Sequence, residues 1–84
     1  MRAMRALWAP WAMRAVERAH AIAARLATGV GADVRLTRTP AGYLLTAPVP
    51  DDPGRQLAAL PALGLADRFG HSSRDGLVWC AVDT

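Results

Sequence analysis

In WAMRAVERAHAIAARLAT, residues 11–28, apolar side chains recur at helical spacing, and shortly afterwards DVRLTRTPAGYLLTAPVP alternates at period two. A chain of 84 residues that changes period so abruptly has room for a few short elements around one core and little else. At about 100° per residue, Trp11, Ala12, Ala15, Val16, Ala19, Ile22, Ala23 and Leu26 share one broad arc, and Arg14, Arg18 and Arg25 lie opposite. Pro10 suits the first helical position. Trp8 folding back on Met13 would staple the entry, and Gly29 with Gly31 should end the helix just beyond Thr28.

The alternating stretch reads as a β-hairpin reversed at TPAGY. A loop of two or four residues puts Val34, Leu36, Leu45 and Ala47 on one face, whereas a three-residue loop would split them, so an even loop is expected. DDPGRQLAALPALGLA then offers Asp52 as N-cap and Pro53 at the first helical position of a second helix, with Leu57 and Leu60 on one side. Pro61 lacks the amide proton an interior position donates, and Gly64 follows, so that helix is expected to stop near Leu60 or tighten into one irregular turn.

The C-terminal DRFGHSSRDGLVWCAVDT reads as strand, turn and strand. A two-residue turn at Asp75 and Gly76 would place His71 opposite Cys80, on the face carrying Phe69, Val78 and Val82; a three-residue turn would place it opposite Trp79. The resulting order is αββαββ, an α+β fold with two helices on one face of a four-stranded antiparallel sheet. Moving the last strand to the front turns it into βαββαβ, the ferredoxin-like plan in circularly permuted form. That plan makes residues 43–49 and 77–83 the central strands, as their apolar content requires, and leaves Arg35, Arg38, Arg68 and His71 on the edges.

All ten basic residues are Arg, Lys and Asn are absent, and Ile, Phe and Glu occur once each, a pattern of codon bias in a GC-rich bacterial genome. The net charge of +3, carried entirely by guanidinium groups, suits bidentate contacts with phosphate or carboxylate and favours nucleic acid or an acidic protein as partner. A single cysteine excludes an internal disulfide and suggests a reduced, cytoplasmic setting. The uncharged run from Ala6 to Met13 is eight residues long and ends at Arg14, too short for a membrane span and without a cleavage site, so no signal peptide and no membrane partner are expected. Residues 1–10 are expected to form a flexible arm before a single domain over residues 11–84, and Met1, Met4 and Met13 all offer translation starts.

Chemistry-bearing motifs are sparse. Cys80 facing His71 resembles a thiolate and its base, but nucleophilic catalysis also needs an orienting third group and an oxyanion pocket, so no catalytic residues are expected. His20, His71, Cys80 and the scattered aspartates lack the paired spacing of a zinc site, and the glycine-rich phosphate loops are missing, so neither metal nor cofactor is expected. The stripe Arg14, Arg18 and Arg25, extended toward Arg2 and Arg5, is either a solvated helix face or a surface that positions a phosphate backbone. Trp8 and Trp11 raise a membrane-surface helix as a third option, which the scarcity of Leu on the apolar arc disfavours. On the uncovered sheet face, Arg35, Thr37, Thr46, Arg68, Ser72, Arg74 and Trp79 combine an aromatic with guanidinium groups. RNA-binding sheets stack bases on such a combination, and an exposed Trp serves equally well as an anchor for a protein.

DRFGH followed by GLVWCAV, together with RTPAGYLL, is similar to short uncharacterised proteins of actinobacterial genomes, plasmids and prophages. The resemblance spans the two hairpins and carries no activity, cofactor or residue role. It implies an accessory protein of a mobile element, which leans toward nucleic-acid or regulatory work. The expectation is therefore a non-enzymatic nucleic-acid-binding accessory or regulator using Arg14, Arg18, Arg25, Arg35, Arg68, Arg74 and Trp79. The alternative is a protein-interaction module or homodimer working through an edge strand or the open sheet face.

Overall fold

The computed structural model describes residues 14–84, in the order α1 (Ala15–Val30), β1 (Arg35–Thr39), β2 (Gly42–Pro48), α2 (Pro53–Leu63), β3 (Arg68–Ser72) and β4 (Leu77–Asp83). The four strands form one antiparallel sheet in the order β1-β2-β4-β3. With β4 moved to the front of the chain, this is the ferredoxin-like strand order. The flexible arm expected over residues 1–10, the Pro10 start and the Trp8–Met13 staple lie outside the described residues, as do Met1, Met4, Met13, Arg2 and Arg5.

Helix α1 runs two residues past Thr28. It ends where Gly31 takes the left-handed conformation (φ 70°) and donates its N–H to the Ala27 carbonyl at 2.9 Å. Gly29 thus lies inside the helix, where it lets α2 approach closely: a Cβ there would stand 2.7 Å from the Ala58 carbonyl oxygen. Asp52 caps α2 by accepting from the Gly54 N–H at 3.1 Å, with Pro53 in the first turn as expected. The helix does not stop near Leu60 but continues through Pro61 to Leu63. Proline deletes one hydrogen bond, to the carbonyl of the exposed Leu57, and the ladder resumes with Gly64 N–H donating to Leu60 at 2.9 Å. Burial of Ala62 and Leu63 against the core offsets that loss.

The first hairpin has the two-residue loop Pro40-Ala41, which sets Leu36 opposite Leu45 and sends both toward the helices. The second hairpin corrects the expected register. Its loop spans the four residues 73–76, so His71 pairs with Val78 and Phe69 with Cys80. Ser72 holds this wider turn, its Oγ donating to Asp75 Oδ2 at 3.1 Å, and Gly76 closes it at φ 66°. Because the register moves by two residues, every side chain keeps its expected face.

The core lies between the sheet and the two helices and is built from Ala19, Ile22 and Leu26 of α1, Leu45 and Ala47 of β2, Ala59, Ala62 and Leu63 of α2, and Val78, Cys80 and Val82 of β4. Cys80 is fully buried, and desolvation pushes its thiol up to about 11, so it is a protonated apolar side chain at neutral pH. At the ends of the β2–β4 pair, Val49 N–H donates to the Gly76 carbonyl and Thr84 N–H to that of Ala41, both at 2.9 Å. An antiparallel ladder alternates, so Leu77, Trp79 and Ala81 turn their backbone groups toward β3 and bond to Ser72, Gly70 and Arg68. Phe69 and His71 therefore direct their N–H and C=O groups outward from the sheet edge.

Candidate functional site

Two surfaces carry features beyond packing. On the face away from the helices, Arg35, Thr46, Trp79 and Gly70 form one row across β1, β2, β4 and β3. Trp79 is half-buried, and its indole lies across Gly70: a Cβ at that glycine would sit 3.0 to 3.2 Å from Cζ2, Cε2 and Nε1. Arg35 stands two strand spacings away, roughly 10 Å. Beside it is an open hollow of about 510 Å³ lined by Asp33, Arg35, Thr46, Pro48 and Leu77. Arg68 occupies the neighbouring row and donates from Nη2 to Asp83 Oδ1 at 3.0 Å.

The remaining arginines do not gather on one surface. Arg14 is exposed and 3.7 Å from Glu17, Arg25 is exposed on α1 without an ion pair among the described residues, and Arg74 projects from the β3–β4 turn. Arg18 is different in kind. Its side chain is only 20% exposed, and Nη2 donates to Asp67 Oδ2 at 2.6 Å. The same oxygen accepts from the Asp83 N–H at 2.7 Å, so Arg18 ties α1 to the start of β3 and the end of β4. The Asp83 amide and the Arg18 guanidinium hold the Asp67 carboxyl below its ordinary range against the opposing effect of burial. That linkage contributes stability above the ordinary carboxylate pKa, and the contribution is lost as pH falls through the lowered value.

Arg18→Gln is therefore expected to destabilise the domain by about 1 kcal/mol, since it removes the charge of a mostly covered guanidinium that ties α1 to the exposed Asp67 carboxylate. Arg14→Gln and Arg25→Gln should each stay within about 0.5 kcal/mol. Urea titrations of the three variants check this, and equal midpoints would show that Arg18 is as free as the other two.

The second surface lies where α2 fails to cover the edge of the sheet. An apolar groove of about 330 Å³ runs between the helix and β3, lined among others by Gln56, Leu60, Leu63, Phe69, His71 and Val78. Leu57 and Leu60 share one side of this helix, but the packed side is Ala59, Ala62 and Leu63, and the two leucines are 67% and 50% exposed. The reason is the small-residue contact between Gly29 and the Ala58–Ala59 backbone, which seats α2 on α1 by its alanines and turns the leucines outward. Phe69 points to the helix side, as its parity requires, yet is 52% exposed because no helix lies over it. The composition hid this surface, since any leucine at helical spacing looks like core.

Cys80 and His71 do not meet, being buried opposite Phe69 and exposed opposite Val78 respectively. Among the described residues no three His, Cys, Asp or Glu side chains converge as a metal site, and no helix is long and apolar enough to cross a membrane. Comparison of the chain with protein-family models, curated proteins and solved structures finds no match.

Proposed function

We propose that this chain is a non-enzymatic protein-interaction domain of the cytoplasm that binds through the α2–β3 edge. One observation carries the reading: Leu60 and Phe69, each at least half exposed, line an apolar groove, and Leu57, 67% exposed, stands one turn before Leu60 on the same helix. Contiguous exposed apolar surface beside an unpaired strand is unfavourable in water and characteristic of interfaces. The nucleic-acid reading ranks second. It is favoured by Trp79 beside Arg35 on the open face, an aromatic platform with a nearby cation. Against it, Arg14, Arg18 and Arg68 are each engaged by a carboxylate, and Arg25 and Arg35 belong to opposite layers of the domain.

A photo-reactive residue at Leu57, introduced in cells where the chain is native, is expected to give one discrete protein adduct, with none from the same probe at Arg25. Absence of a protein adduct from Leu57 in the folded chain would overturn the interaction reading. Salt-dependent binding of single-stranded oligonucleotides that disappears in Trp79→Ala and weakens in Arg35→Gln would put the second reading in its place.

A further inference from the structure

Resting on the interaction reading, we infer that the partner is a second copy of this chain, joined antiparallel through β3 about a two-fold axis at Gly70, with the Phe69 of each copy entering the other's groove.

The register follows from the edge itself. Two identical antiparallel edge strands side by side are related by a two-fold axis normal to the sheet, which keeps both helix layers on one side. Paired residues must then share a face. Since Phe69 and His71 carry the outward backbone groups of β3, the axis can sit at Phe69, Gly70 or His71. An axis at Phe69 matches His71 with Asp67, whose N–H already donates to the Ala81 carbonyl at 3.0 Å. An axis at His71 runs Phe69 into Ser73 of the turn. Only the axis at Gly70 matches Phe69 with the other copy's His71 and His71 with its Phe69, so that four hydrogen bonds take up every outward group of both strands.

The side chains agree with this register on both faces. On the helix face, Phe69 lands opposite the other copy's His71, a wall of the apolar groove, and Leu60 of both copies closes over the rings. On the open face, Arg68 lands opposite the other copy's Ser72, whose Oγ is bonded to Asp75. Each Arg68 thus comes near an Asp75 across the axis, and no like charges are directly paired in this register. Gly70 meets Gly70 on that face, which leaves the two Trp79 indoles, each lying over its own Gly70, flanking the axis. Large exposed apolar side chains cluster at this edge, and none lies on β1 at the other.

Sedimentation equilibrium of the full chain across a concentration series tests the assembly, with twice the 8.9 kDa of one chain expected. His71→Pro removes an outward N–H that no bond among the described residues uses, so it should leave the monomer folded by circular dichroism and abolish the dimer, while His71→Thr keeps both. Should His71→Pro fail to fold, Asp75→Arg carries the same decision. It sits in an exposed turn, opposes Arg68 twice across the axis, and should weaken the dimer roughly tenfold or more. A wild-type chain that stays monomeric throughout, a folded His71→Pro dimer, or an Asp75→Arg dimer of unchanged strength would overturn the inference. A monomer whose Leu57 probe still captures another protein would remove self-association and leave the interaction reading standing. A monomer whose probe links only to residues 1–13 of its own chain would remove both.

Discussion

Leu45→Ala is expected to destabilise the domain by about 2 to 5 kcal/mol, the range for emptying a fully buried leucine site. Leu45 has no exposed surface, pairs with Leu36 on one side and Cys80 on the other, and lies beneath α1. Filling the void would bend β1 or β4 or shift α1 on the sheet, which places the cost toward the upper end. A domain of this size has a total stability of roughly 5 to 10 kcal/mol, so the variant should lose a large share of it and approach unfolding only if the wild-type stability lies at the low end. Leu26 of α1 is equally buried and should behave alike. Urea unfolding followed by circular dichroism measures both, and a loss under about 0.5 kcal/mol, the scale of surface changes, would place the residue outside the core.

Gly42→Ala should match that effect by another route. Gly42 opens β2 at φ 149°, a conformation that L side chains rarely adopt, and is buried against the end of β4. A Cβ there would collide with the Val82 carbonyl and stand 3.0 Å from the Asp83 Cα and the Thr84 nitrogen, all backbone and unable to move aside. Backbone strain and overpacking together should cost about 2 to 5 kcal/mol. Gly76 provides the control. It is also left-handed, at φ 66°, but a Cβ would meet nothing within 4 Å, so Gly76→Ala should cost only about 1 to 2 kcal/mol. Equal unfolding midpoints for the two variants would show that the approach of the β2 backbone to β4 is not the constraint.

These two predictions bracket what holds the sheet together, and the edge of the same sheet is where the interaction reading lives. If β3 pairs with a second copy, Phe69 and Leu60 become core residues of the dimer. Their truncation would then weaken assembly while leaving the monomer's own core, from Ala19 to Val82, intact. The arginines have a different standing. Arg18, which the helical wheel places among the solvated cations, works as a tether between α1 and the ends of β3 and β4, so charge-removal experiments on the α1 stripe are interpretable only at Arg14 and Arg25.

The period of the hydrophobic pattern, the turn residues and the helix caps were enough to determine six elements, their order and the face each strand buries. Each of these is local: a pleat repeats every two residues, an even loop preserves parity, and Asp52-Pro53 or Gly31 acts within one turn. Parity survived even the wider second hairpin, since a shift of two residues leaves every side chain on its face. The tertiary structure alone decided which groups from distant parts of the chain meet. Arg18 finds Asp67 from 49 residues away, and nothing near either residue announces the pair. Pro61 stays inside a helix because burial of Ala62 and Leu63 outweighs one hydrogen bond to an exposed carbonyl. The groove exists because Gly29 draws the Ala58–Ala59 backbone onto α1, which sets the sideways position of α2 and leaves β3 uncovered. Lateral placement of one packed layer over another depends on the fit of small residues across the contact, and periodicity within a single segment carries no information about that fit.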